Sequence, residues 1–328
     1  MGGSTDTTFE ALGSRIRVII DSTETAGRRS ADSAAAEVEE FIHRFDETLS
    51  RFREDSELSR FNSDERDVVP ASGLLRTAVR AGLWAAEKTG GLVDPTLLPE
   101  IEAAGYHSSR TGMDGLTVEA LLPDTPGRHS AGATEDAAWR DFVVDNAGGT
   151  ISRPPGLGFD PGGTGKGLAA DMAAGLLDGF PRFLISCGGD IRVGGSKAKE
   201  VPFEVFVEHP ATGVKPHLFK VGHGGIATSG IRARSWRKED GSPAHHLLDP
   251  ATGEPVWSGL IGTTALAGTA MEAEALAKAA LLSGPEGARD ILGPRGGILV
   301  HEDGEVEVAG SARVRVRLPA IEGSGISG

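Results

Sequence analysis

Gly158-Phe159-Asp160-Pro161-Gly162-Gly163-Thr164-Gly165-Lys166-Gly167-Leu168-Ala169-Ala170-Asp171 runs from a glycine-rich turn straight into the start of an amphipathic segment. Glycine accepts positive φ and lets the backbone approach a ligand closely, and the first N–H groups of a helix have no intrahelical partner. With Lys166 adding a positive charge at that point, the stretch suits a phosphate group. It is not a P-loop. Counting back from Gly165-Lys166, the first glycine of that motif is replaced by Asp160, and Gly167 stands where a magnesium-binding Ser or Thr belongs. Gly165, Gly167 and Ala170 fit a looser Gly-x-Gly-x-x-Ala pattern, but the preceding Arg153-Pro154-Pro155-Gly156 makes a poor strand, which argues against a Rossmann unit. The competing reading is a glycine turn that caps a helix and binds nothing.

Outward from this stretch, helical and strand patterns interleave. Ser14 to Asp21 alternates and is β-branched, predicting a strand. Ala35, Val38, Phe41, Ile42, Phe45 and Leu49 recur at helical spacing over 31–49, and Leu75, Val79, Leu83 and Trp84 do so over 74–89, ending at Gly90-Gly91. Beyond the glycine stretch the pattern predicts a helix over 166–178 and strands near 183–187, 203–208 and 218–221. A helix near 270–283 and strands at 297–300 and 305–308 follow. Residues from about 105 to 135 are rich in Gly, Ser, Thr, Asp and Pro without periodicity and read as a long surface excursion. No linker divides the chain, so the class is α/β or α+β.

Composition limits the partners. The 328 residues are 39% hydrophobic, enough for a core, and the formal charge of −14 disfavours nucleic acid and anionic membrane. Phosphate binding must therefore be local. The single cysteine, Cys187, excludes an intramolecular disulfide, and its apolar run Phe183-Leu184-Ile185-Ser186 favours a buried structural thiol over a nucleophile. Met1-Gly2-Gly3-Ser4 does not begin a signal peptide and no apolar span is long enough for a membrane segment, so the chain as written reads as soluble and cytoplasmic.

Four further segments hold residues that a scaffold does not require. Ile226-Ala227-Thr228-Ser229-Gly230 offers hydroxyl and backbone donors, either to a phosphate or within an ordinary turn. His245-His246-Leu247-Leu248-Asp249-Pro250 brings two imidazoles near a carboxylate, a pattern for acid/base work or a satisfied turn rather than for metal, and leaves open which histidine faces a pocket. Asp94-Pro95-Thr96 reads as a turn ordering a loop over a pocket. Glu274 and Lys278 share one helical face, where the plain reading is an ion pair on a solvated surface.

Together these segments resemble the ApbE family, the FAD:protein FMN transferases, in order over most of the chain. Ala11-Leu12-Gly13-Ser14 is similar to the family's opening, and Leu49-Ser50-Arg51-Phe52 with Ser56 to Asn62 to its next block. Asp94-Pro95-Thr96 follows. The most specific block is Asp160, Gly162, Gly163, Lys166, Gly167 and Asp171, and then come Cys187-Gly188-Gly189-Asp190, Ala227-Thr228-Ser229-Gly230 and His246 to Pro255. The resemblance implies one large domain over 1–328, of mixed, T-fold-like sheets flanked by helices, with a variable excursion at about 105–150. It implies FAD as ligand, held by Leu12, Asp94, Thr96, Asp160, Gly162, Gly163, Lys166, Asp171, Gly189, Thr228, Ser229 and His246. It also implies phosphoryl transfer: a Thr hydroxyl of an acceptor flavoprotein attacks the FMN-side phosphorus, and AMP leaves. His246 would assist that hydroxyl, Asp249 would order its turn, and Lys166 would stabilise the phosphates or pack the glycine loop.

One departure bears on the metal. The family binds magnesium through an Asp and a Thr in an Ala-Asp-Ala-x-Ala-Thr-Ala pattern and a backbone carbonyl, here near Thr164; this chain places Glu274 and Lys278 at the matching positions. Glu can ligate magnesium, but an ammonium only donates. Three expectations follow: an active transferase, an FAD-binding homologue whose metal-dependent transfer is weakened because Lys278 replaces the cation, or an FAD pyrophosphate hydrolase using water.

Overall fold

An eight-stranded sheet organises the protein, and every neighbouring pair in it is antiparallel. The computed structural model describes residues 3–22, 29–106, 116–125, 127–214, 217–310 and 314–316. The first half contains β1 (Ser4–Ala11), β2 (Ser14–Asp21), α1 (Ala31–Leu49), α2 (Glu57–Ser63), β3 (Val68–Pro70), α3 (Gly73–Lys88), α4 (Leu98–Ala103), α5 (Val118–Leu121), β4 (Val143–Asp145) and β5 (Thr150–Ser152). Then come α6 (Gly165–Gly175), β6 (Arg182–Cys187), β7 (Asp190–Gly194), β8 (Phe203–Val207), β9 (His217–Val221), β10 (Gly224–Gly230), β11 (Ser235–Arg237) and β12 (Pro243–His245). The chain ends with β13 (Leu260–Ala267), α7 (Ala270–Leu282), α8 (Gly284–Leu292), β14 (Gly297–His301), β15 (Val306–Ala309) and β16 (Val314–Val316). The large sheet has the order β1-β2-β6-β7-β10-β13-β14-β15, and smaller sheets form from β3-β5-β4, β16-β9-β8 and β11-β12.

Along the large sheet, α1 packs on β1 and β2, α6 on β6 and β7, α7 on β10 and β13, and α8 on β13 and β14. The alternation of β2 buries Ile16, Val18 and Ile20 against the α1 residues Val38, Ile42 and Phe45. A second core joins β8 and β9 to the C-terminal half of the sheet through Phe203, Val205, Phe219, Ile226, Ile261 and Leu281. Strand β13 is buried on both faces, and its two buried threonines are satisfied: Thr263 donates to the Ala277 carbonyl (2.6 Å) and Thr264 pairs with Thr228 (2.9 Å).

Two hairpin turns place site residues. Leu12-Gly13 joins β1 to β2 with φ of 55° and 60°, and Gly188-Gly189 joins β6 to β7 with φ of 61° and 97°. Such two-residue turns with positive φ match the twist of antiparallel strands. Leu12 pays for this with a left-handed backbone, which is held by its N–H donating to Asp46 Oδ2 of α1 at 2.9 Å. Helix α7 is alanine-rich and buried nearly all round, and its first turn is capped by Thr269 and by Asp171, whose oxygens each accept a backbone N–H, from Ala270 and Met271, at 2.9 Å. Gly167 lets α6 meet α7: a Cβ there would lie 2.5 Å from the Ala270 carbonyl oxygen.

Of the stretch read as a surface excursion, 107–115 and 126 lie outside the described residues. Within the remainder Val118, Leu121 and Phe142 are buried, and residues 129–131 bond to Trp257 and Leu282. No helix among the described residues is long and apolar enough to cross a membrane.

Candidate functional site

The glycine stretch begins as a turn made by Asp160, whose carboxylate accepts the Gly162 N–H at 2.8 Å. Its approach is pinned twice: Asn62 bonds both the N–H and the carbonyl of Phe159 at 2.9 Å, and Asp160 N–H donates to the Pro95 carbonyl at 2.8 Å. The Asp94-Pro95-Thr96 turn therefore supports the glycine turn, with Thr96 donating to Asp94 through both its N–H and its hydroxyl. Helix α6 starts at Gly165. Glu274 on α7 takes the Gly167 N–H at 2.8 Å, so one first-turn donor expected to face a phosphate is used internally.

A cavity of about 400 Å³ opens over this turn. Leu12, Asp94, Asp160, Gly162, Gly163, Lys166, His246, Glu274 and Lys278, all anticipated from sequence, line it together. Thr96, Thr164, Asp171, Gly189, Thr228, Ser229 and Asp249 do not. Asp171 caps α7, Gly189 completes a hairpin, and Thr228 pairs with Thr264. Asp249 orders its own turn by accepting from Gly132 and Ala251 at 2.9 and 3.0 Å.

Five cationic residues line the cavity: Arg51, Arg53, Lys166, Arg234 and Lys278. Lys166 bonds to Asp190, which is 1% exposed, and lies 4.0 Å from Glu274 Oε1. Burial opposes the Lys166 charge, but Asp190 and Glu274 outweigh it and hold the ammonium above its ordinary value. Lys278 donates to the Gly162 carbonyl at 2.7 Å. Burial pushes it below its ordinary value and Glu274 opposes that push. The expected solvated Glu274–Lys278 pair is therefore corrected: Glu274 is 4% exposed, and the two side chains serve separate backbone partners. The reason is that α7 is buried on both sides.

An aromatic wall completes the site. The Arg51 guanidinium lies 4.3 Å from the Phe52 ring centroid and 4.6 Å from that of Tyr106, donates to the Tyr106 carbonyl, and approaches Asp160 at 3.8 Å. Tyr106 stacks on Trp236 with centroids 5.7 Å apart. Arg51, Phe52 and Asp190 stand in blocks that resemble the family's, although the sequence gives Asp190 no role; Arg234 and Tyr106 carry no local signal that singles them out.

The two histidines divide. His245 is fully buried: Nε2 donates to the Val256 carbonyl (2.9 Å), Nδ1 accepts from Leu247 N–H (3.2 Å), and the ring meets Trp257 edge-on. His246 faces the cavity, with Nδ1 3.4 Å from the Arg234 carbonyl. A carbonyl only accepts, so Nδ1 carries the proton and Nε2 keeps a lone pair. Burial, then the charges of Arg234 and Lys278, hold His246 well below the usual histidine value, and the ring is neutral. Cys187 is buried, its thiol pushed up by that burial, in keeping with a structural role.

These elements fall where comparison places a family. The ApbE family model matches residues 12–300. The chain belongs to the ApbE family. The FAD:protein FMN transferase of Salmonella typhimurium strain LT2 is 30% identical over 252 residues, covering 74% of this chain and 69% of the relative. That of Escherichia coli K12 is 29% identical over 265 residues, covering 78% and 72%. The crystal structure of the ApbE protein from Thermotoga maritima shares the fold, with a TM-score of 0.76 at 23% identity over 94% of this chain and 97% of that one. The mixed α/β architecture expected from sequence is thus the ApbE architecture.

The magnesium position expected from the ApbE resemblance does not fit a divalent ion in this chain. Magnesium demands a near-octahedral set of oxygens. Here the Thr164 carbonyl accepts the Leu168 N–H, the nearby Gly162 carbonyl accepts Lys278, one Glu274 oxygen accepts the Gly167 N–H, and the other faces Lys166. The Thr164 hydroxyl is buried without a hydrogen-bond partner, but one such oxygen does not make a site. Among the described residues no group of three or more His, Cys, Asp or Glu could hold a metal.

His245 gives a pH prediction. Burial lowers it from 6.5 to about 4, so the unfolded chain binds its proton more readily. Stability from this group is full above pH 6.5 and is lost as pH falls toward 4, a change of about 3 kcal/mol. Urea unfolding of the wild type and of His245→Asn across this range should show that excess acid sensitivity only in the wild type.

Proposed function

We propose that the cavity binds FAD and that the protein transfers FMN from FAD to a hydroxyl of an acceptor protein, releasing AMP. One observation carries this reading: the glycine turn, two lysines, three arginines and a neutral histidine converge on one cavity with an aromatic wall. The names of the relatives, FAD:protein FMN transferases, support the same substrate and a protein acceptor.

The diphosphate would lie over Gly162 to Lys166, between Lys166, Lys278 and Arg234. A flat ring would pack against Leu12 and the Phe52–Tyr106 wall. The acceptor oxygen, a threonine hydroxyl on this reading, forms a bond to the FMN-side phosphorus. The bond from that phosphorus to the bridging oxygen breaks, and AMP leaves with the electron pair. The hydroxyl proton passes to His246 Nε2. Asp249 and His245 act at a distance by fixing the segment that carries His246, and Asp94, Thr96 and Asp160 by shaping the turn.

Isothermal titration tests the binding step. FAD should bind more tightly than FMN or AMP alone, because only FAD offers both the diphosphate and two ring systems. An FAD titration without heat or fluorescence change would contradict the reading.

A further inference from the structure

Of the oxygens expected to hold magnesium, one of Glu274 accepts the Gly167 N–H and the Thr164 carbonyl accepts the Leu168 N–H, while Lys278 occupies the neighbouring Gly162 carbonyl. It stands one helical turn after Glu274, and its ammonium sits on the glycine turn, 2.7 Å from the Gly162 carbonyl. It also lies 3.6 Å from where a Gly163 Cβ would be. An ammonium has three donors, and one is spent on Gly162. The other two are available to phosphate oxygens in the cavity that Lys278 lines. Its helix cannot shift to make room: Ala273, Ala275, Ala277 and Ala279 are fully buried, and Thr263 grips the Ala277 carbonyl.

Resting on the FAD reading above, we propose that Lys278, with Lys166, replaces the divalent cation, so that this protein binds FAD and transfers FMN without a bound metal. The two ammoniums supply the positive charge that a divalent ion would bring to the diphosphate, and Arg234 adds to it. Asp190 and Glu274 keep Lys166 charged and fixed, which is the preorganisation that charge stabilisation requires. A divalent ion placed on the Gly162 carbonyl would face the Lys278 ammonium directly, so the two cations exclude each other. The bond made and the bond broken are those of the transfer step; only the source of the neutralising charge differs.

The test is calorimetry with FAD in EDTA and again in excess magnesium, on the wild type and on three variants checked for folding by circular dichroism. The wild type should bind FAD with the same affinity in both media. Lys278→Met should lose about 10- to 100-fold in affinity in either medium, as a charge-assisted hydrogen bond is removed. Lys278→Arg should keep metal-insensitive binding. Lys278→Thr should bind weakly in EDTA and recover in magnesium, because a hydroxyl oxygen and a freed Gly162 carbonyl then join Glu274. Wild-type FAD binding that weakens tenfold or more in EDTA would overturn the inference while leaving the FAD reading intact. Unchanged affinity in Lys278→Met would overturn it as well. Failure of FAD to bind in both media would instead remove the reading on which it rests.

Discussion

His246→Ala slows AMP release from FAD by about 10²- to 10⁴-fold when a threonine-bearing acceptor protein is supplied, the range typical of losing a general base. The expected change in FAD affinity is small, because the imidazole is aimed at the incoming hydroxyl and not at the diphosphate. The geometry makes the assignment specific: Nδ1 faces the Arg234 carbonyl, so only Nε2 can take a proton. The wild type carries a pH signature of the same residue. The His246 value lies well below 6.5, so the base stays unprotonated as pH falls from 8 through 6.5, and the wild-type rate should stay nearly flat where an ordinary histidine would lose half of its base form. Retention of the wild-type rate in His246→Ala would remove histidine from the transfer step.

Lys166→Met is expected to destabilise the protein by about 3 kcal/mol, measured by urea denaturation, besides weakening FAD binding. The cost comes from the partner left behind. Asp190 is 1% exposed and its carboxylate is neutralised by Lys166, so removing the ammonium strands a buried charge. The stranded carboxylate also sits beside Glu274, whose own value is raised by burial and then by Asp190. Adding Asp190→Asn removes the stranded charge and should recover much of the stability without recovering FAD affinity. That split separates the two roles that the sequence left joined, stabilising phosphate and packing the glycine loop. A single Lys166→Met variant as stable as the wild type would show that Asp190 does not depend on the pair.

What the sequence made legible follows from which residues carry contrast. The β-branched alternation at 14–21 and the large apolar residues of 31–49 and 74–89 mark one face against another, and β2, α1 and α3 form there. The glycine turn was legible for the same reason, since Asp160-Pro161-Gly162-Gly163 has few other uses. Strands β10 and β13 at the centre of the sheet were harder: Gly224-Gly225 and Gly262-Thr263-Thr264 look like loop residues, and only the packing of α7 explains them. A Cβ at Gly225 would lie 2.2 Å from the Thr269 carbonyl oxygen, and Thr263 is satisfied by the helix above it. Helix α7 illustrates the limit most clearly. Alanine fits a surface or a core equally, so the Glu274–Lys278 spacing could be read as a solvated pair when it in fact borders the cavity. Arg234 and Tyr106 reach the site from separate segments, and their roles, like the pairing of Asp190 with Lys166, exist only in three dimensions.

The central claim is that the FAD diphosphate lies on the glycine turn beside Lys166 and Lys278. A crystal structure of the protein grown with FAD in EDTA tests it most directly. The account predicts diphosphate density over Gly162 to Lys166 within hydrogen-bonding distance of both lysine ammoniums, with His246 facing the FMN-side phosphorus. A diphosphate bound away from this turn, or FAD absent from the cavity at saturating concentration, would contradict it.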